Sequence, residues 1–166
     1  MPLLLMNGLG SMLYHAFRSS GFFLLMDVLP AAILTVGVSI YFWTKVLNNI
    51  IIVAFIILSA LVLRFVGYNF FTLSASTNLS YLISGIVLFI PSLLYLHRNN
   101  NYQSGQLVSS IFCLIIALIF RAIDKEGIIP LKMGTHFLWH LFSGIGGFFL
   151  ANYLYHIRKR EIELKN

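Results

Sequence analysis

The chain is short of charge, and above all of acid. Five of its 166 residues are Asp or Glu, and charged side chains make up 10% of the sequence, where a soluble domain carries roughly 25%. That deficit excludes an ordinary soluble globule. A single cysteine, Cys113, excludes an intramolecular disulfide and any Cys-based zinc motif. Low-complexity tails and internal repeats are also missing, and the linkers are too short to hold a separate extramembrane domain. The net charge of +6 does not point to nucleic acid, because no basic face recurs at helical spacing. Its densest cluster, Arg158, Lys159 and Arg160, is suited to anionic lipid headgroups.

What the chain has instead is apolar length. Hydrophobic residues make up 59%, gathered in runs that suit a bilayer core of about 30 Å. Six segments are expected, at 2 to 17, 21 to 43, 47 to 66, 79 to 97, 105 to 122 and 133 to 157. Helices are preferred to strands because the runs are long and lack polar alternation, and hydrocarbon requires every backbone group to be paired internally. The expected fold is therefore all-α, a single polytopic helical bundle over 1 to 166 with six transmembrane helices. The polar connections RSS, TK, YNFFTLSASTN, HRNNNYQS and DKEGIIP are short, which makes neighbouring helices antiparallel. Pro30 and Pro91 fall inside segments, where each removes a backbone hydrogen bond and favours a kink. The first segment covers only about 24 Å at 1.5 Å per residue. It has no basic residue before Arg18, so it is expected to be a membrane helix, not a cleaved signal peptide.

Ionisable groups inside hydrocarbon cost at least a few kcal/mol and need a partner or a purpose. GTHFLWHLFSG places His136 and His140 one helical turn apart, GSMLYH does the same with Ser11 and His15, and Asp27 follows in FFLLMDVLP. In an antiparallel bundle His15, Asp27, His136 and His140 are expected at one leaflet, because an even number of crossings separates them. Three imidazoles and a carboxylate at one depth suit Zn²⁺, whose catalytic sites typically keep a position for water. The natural reaction is hydrolysis of an amide or ester. Asp27 is the candidate general base or ligand-orienting group, and Ser11 a hydrogen-bond donor to the water or the developing oxyanion. His15, His136 and His140 are the candidate ligands. The plainer alternative, interfacial or hydrogen-bonded histidines, suits His97 and His156, which sit at the opposite helix ends beside Arg98 and Arg158. Arg121 and Asp124 in FRAID have the spacing of an i,i+3 ion pair. Tyr14 and Trp139 receive no catalytic role, and Gly144, Gly146 and Gly147 are expected to permit close helix packing.

Together, SMLYH, Asp27, FRAID and GTHFLWHL resemble the alkaline ceramidase branch of the CREST membrane hydrolase superfamily, over residues 8 to 144. The shared pattern is Ser-x-x-x-His, an Asp early in the next helix, and His-x-x-x-His in the last. Ser11, His15, Asp27, His136 and His140 fill it. The resemblance implies a zinc-dependent intramembrane hydrolase acting on a ceramide-like lipid, with His15, His136 and His140 on the metal and Asp27 and Ser11 around the water. It also implies seven helices, so the family's first is expected to be missing, and the absent acidic N-terminal region argues against a calcium site. Two alternatives remain: a receptor-like or lipid-binding relative that keeps zinc structurally, and a proton or metal transporter. The terminal RKR cluster favours a cytoplasmic C-terminus, with the metal site near the other leaflet. The lack of long loops and of glycosylation signals outside NLS at Asn78 to Ser80 leans toward a bacterial inner membrane.

Overall fold

The computed structural model describes residues 2–17, 20–126 and 135–164. Six α-helices follow one another in it: α1 (Pro2–Phe17), α2 (Gly21–Leu47), α3 (Ile50–Phe70), α4 (Leu73–Arg98), α5 (Ser104–Glu126) and α6 (His136–Glu163). No strand occurs among the described residues. The five helices from α2 to α6 are long and apolar enough to cross a membrane. Large apolar side chains such as Phe55, Phe65 and Phe112 stand exposed on them, as suits surfaces solvated by lipid. The chain is a helical membrane protein.

α1 has the bounds expected of it, but two connections differ from expectation. Thr44 and Lys45 do not end α2. Thr44 Oγ1 donates to the Tyr41 carbonyl at 2.8 Å and the Lys45 ammonium lies 5.6 Å from the Tyr41 ring centre, so both polar groups are served inside the helix. The turn comes at Asn48 and Asn49. Asn48 takes the left-handed conformation at φ 52° that closes α2, and Asn49 Oδ1 accepts from Ile51 N at 3.0 Å to start α3. The other difference is at 68 to 78, expected as a loop, where only Phe71 and Thr72 separate α3 from α4. Asn69, Ser76 and Thr77 bond instead to carbonyls four residues back, at 2.7, 2.9 and 2.7 Å. The α4–α5 connection at 99 to 103 lies where expected, with Asn100, Asn101 and Gln103 at positive φ. The end of DKEGIIP, the start of the 133 to 157 segment and Arg18 of RSS lie outside the described residues.

The helices form two compact units, Met1–Tyr95 and Leu96–Asn166. In the first, the Phe42 and Tyr95 rings pack 5.6 Å apart and Trp43 Nε1 donates to the Val87 carbonyl at 3.0 Å. Pro30 and Pro91 are buried within helices that continue past them. Gly67 lets α4 approach α3: Ser76 Oγ donates to the Gly67 carbonyl at 2.9 Å, and a Cβ at Gly67 would lie 2.8 Å from Leu79 Cδ2. In the second unit α5 packs on α6 at Gly146, where Ser110 Oγ donates to the Gly146 carbonyl at 2.8 Å. A Cβ there would lie 2.9 Å from Leu114 Cγ, whereas one at Gly144 or Gly147 would meet nothing within 4 Å. Of the three glycines expected to allow packing, Gly146 is the one that does.

Candidate metal centre

In the second unit, α6 holds the two histidines as its sequence spacing implies. One turn apart on one helix face, His136 and His140 bring their Nε2 atoms to 3.1 Å, with ring planes inclined at 79°. Two ligands at 2.0–2.1 Å from a tetrahedral zinc lie about 3.3 Å apart. The spacing of the two nitrogens therefore fits a shared divalent ion.

Behind His136 stands Asp124 of α5, with Oδ2 3.6 Å from Nδ1. Its other oxygen, Oδ1, accepts from the backbone N–H of Thr135 at 2.7 Å. Thr135 is buried and donates its hydroxyl to the Phe120 carbonyl at 3.1 Å. The carboxylate is thus held at the start of α6, where the exposed N–H groups of the first turn favour negative charge. An Nδ1 facing a carboxylate keeps its proton, which leaves the Nε2 lone pair for a metal. The sequence spacing paired Asp124 with Arg121. In the structure Asp124 turns to Thr135 and His136, and the Arg121 guanidinium lies 5.2 Å from the centre of the Trp139 ring. Replacing Asp124 with Asn keeps an acceptor for Thr135 but removes the charge beside His136. Zinc affinity is expected to fall about 10- to 100-fold, measured by competition with a chromogenic chelator, while helix content by circular dichroism stays unchanged.

In the first unit, α1 carries Ser11 and His15, and α2 carries Asp27. Gly10 brings the two helices together: it is buried, and a Cβ there would lie 2.5 Å from Asp27 N and 2.6 Å from Met26 Cβ. Across this contact the Asn7 amide donates to the Asp27 backbone carbonyl and reaches its carboxylate Oδ1 at 3.3 Å. Asn7, Ser11 and His15 follow one another at four-residue intervals, so they form one stripe along α1. The Asn7 bonds show that this stripe begins against Asp27. The Tyr14 ring stands edge-on to His15 at 5.5 Å.

The structure thus brings His136 to His140 in one unit and α1 to Asp27 in the other. Sequence reasoning missed Asn7 and Thr135 and gave Asp124 a different partner. Asn7 had a visible signal, since it extends the Ser11–His15 spacing by one turn. Thr135 had a weaker one, as a capping-type residue immediately before a helical histidine pair. Gly134, which opens the GTHFLWHL motif, lies outside the described residues. No protein-family model, curated protein or solved structure matches the chain.

Proposed function

We propose that the chain is a zinc-dependent intramembrane hydrolase that cleaves the amide bond of a ceramide-like lipid, with His15, His136 and His140 as the metal ligands. The observation that carries this furthest is the 3.1 Å approach of the two Nε2 atoms of α6, with a carboxylate facing the Nδ1 side of His136. An imidazole pair with a carboxylate behind it is a metal-ligand arrangement. It lies on an apolar helix, where unpartnered polar groups are costly.

Bound zinc supplies a Lewis acid and lowers the pKa of water toward about 7. The chain's own groups then divide the remaining work. Asp27 takes the proton of the attacking water and returns it to the departing amine nitrogen as the C–N bond breaks. Asn7 positions Asp27 through the two bonds described above. Ser11, one turn along the same stripe of α1, donates a hydrogen bond to the carbonyl oxygen as negative charge develops on it. The products are a fatty acid and a long-chain amine. Both, like the substrate, keep their chains among lipid-facing helices, with the C-terminus of α6 on the cytoplasmic side.

The direct test incubates zinc-loaded protein in detergent with ceramides and with matched lipid esters, and quantifies free fatty acid by mass spectrometry. Release from the amides at many turnovers per chain, abolished by Asp27→Asn, is expected. Stoichiometric zinc without cleavage of any lipid amide or ester would exclude the hydrolase in favour of a receptor or lipid-binding protein.

A further inference from the structure

Past His140, toward the middle of α6, the helix surface is notched. His140, Gly144 and Phe148 follow at four-residue intervals, so they form one row along the helix. Gly144 has no side chain, and a Cβ there would meet nothing within 4 Å. The gap it leaves belongs to a groove of ≈ 550 Å³, lined by His140, Leu141, Gly144, Ile145, Phe148 and Phe149. Small-molecule sites usually measure about 300–1,000 Å³, so the groove is large enough for a ligand. All six residues belong to α6, and His140 is the only one of them with a polar side chain.

The two ends of the groove differ in character. One is a proposed zinc ligand. At the other, the Phe148 and Phe149 rings stand edge to face with centres 5.8 Å apart. From His140 to Phe149 the helix rises about 14 Å at 1.5 Å per residue. That is close to half of a hydrocarbon core of about 30 Å. Exposure keeps to the same limits: Leu141, Gly144, Ile145 and Phe148 are exposed, and the next exposed residue of α6 is Tyr155, two turns further on. A second transmembrane helix would need a face running through both leaflets. A groove confined to one half of α6, polar at one end and apolar along the rest, suits a single hydrocarbon chain with a polar head.

We infer that this groove holds the acyl chain of the substrate, with the scissile carbonyl at its His140 end, and that Gly144 and Phe148 set the chain length accepted. The inference rests on the hydrolase reading above and extends it to which of the lipid's two chains lies on α6. An acyl chain is hydrocarbon from the first carbon after its carbonyl, and the groove is apolar from the first residue after His140. The amine side of a ceramide-like lipid carries hydroxyl groups next to the scissile bond. Past His140 the groove offers them no polar side chain, and burying a hydroxyl without a partner is costly.

The test uses the full chain in detergent with ceramides that carry a diazirine on the acyl chain. Irradiation expels dinitrogen, the resulting carbene inserts into a neighbouring C–H bond, and peptide mass spectrometry locates the label. Labelling between Leu141 and Phe149 is expected, competed by unlabelled ceramide and lowered about tenfold by Gly144→Leu, with zinc content kept. Turnover is measured in parallel on amides graded in acyl length and, separately, in amine-chain length. Gly144→Leu shifts the preference toward shorter acyl chains. Phe148→Ala shifts it toward longer ones, a gain that a merely damaged fold does not produce. Should Gly144→Leu fail to fold, Phe148→Ala, at an exposed side chain, carries the test alone. Labelling of the groove in a protein that turns over no amide or ester would keep the groove as a lipid-chain site and remove the hydrolase reading. Turnover with the same acyl-length profile in wild type and both variants would overturn the groove and leave the hydrolase standing. Label spread evenly over the lipid-facing helices, or a length shift that follows the amine chain, would overturn it as well.

Discussion

Replacing His136 or His140 with alanine is expected to remove zinc from the purified chain and to lower lipid-amide hydrolysis by at least about 10³-fold. A bound metal contributes several kcal/mol of charge stabilisation at the transition state, and each 1.36 kcal/mol is a factor of about ten in rate. Loss of about 4 kcal/mol therefore gives the stated factor. The two nitrogens stand 3.1 Å apart, so deleting either leaves a single imidazole from α6, which cannot hold the ion in place. Elemental mass spectrometry on wild type and both variants reads the metal directly. His15→Ala belongs in the same series, because the proposed ligand set takes its third imidazole from α1. About one zinc per chain in the wild type, absent from all three variants, is the expected pattern. Zinc retained in both α6 variants would remove the pair from the metal site and leave it as ordinary polar packing.

The second large effect is expected at Gly10. Adding a single methyl group there places a carbon 2.5 Å from the Asp27 backbone nitrogen, well inside contact distance. Backbone cannot swing aside as a flexible side chain can, so α1 must move away from α2 along its length. Overpacking of this kind costs typically 1–3 kcal/mol. For Gly10→Ala the upper part of that range is expected, because the two atoms nearest the new carbon, the Met26 carbonyl carbon and the Asp27 nitrogen, both belong to the α2 backbone, with Met26 Cβ next at 2.6 Å. The shift also separates Asn7 from Asp27, so catalysis falls with stability. Unfolding in graded denaturing detergent measures the first effect, and amide turnover below the transition measures the second. Gly8→Ala is the control, since a Cβ at Gly8 meets nothing within 4 Å, and it should change neither.

The helical architecture was legible in the sequence because apolar run length alone separates membrane helices from other structure. The ends were less legible. Thr44, Lys45, Asn69, Ser76 and Thr77 look like punctuation in a one-dimensional pattern, but four of them find an acceptor or an aromatic face within their own helix, and Ser76 bonds to the Thr72 carbonyl just before α4 and to Gly67 of α3. Polar residues that satisfy themselves locally do not end helices, and the sequence pattern cannot distinguish them from those that do. The histidine pair was legible for the same reason as the helices, since it depends only on a four-residue period. Its support was not. Asp124 reaches Thr135 across eleven residues of chain, a distance at which no local spacing rule applies, so the nearer Arg121 was the natural partner to expect. Asn7 lay between these cases: its period was visible, but its contact with Asp27 depends on the bare backbone of Gly10.

The Asn48–Asn49 turn has a consequence for how the chain enters the bilayer. Two residues span at most about 7 Å, so the first residue of α3 lies close to the last of α2 on the same side of the membrane. Once α2 has crossed, α3 has no slack in which to wait outside, and its apolar surface is already at the lipid boundary. The two helices are therefore expected to insert together, as one hairpin, with the backbone N–H of Asn48 and the side-chain oxygen of Asn49 already engaged in capping. A reporter domain spliced into this turn should arrest that paired entry, while the same domain placed at 99 to 103 should pass.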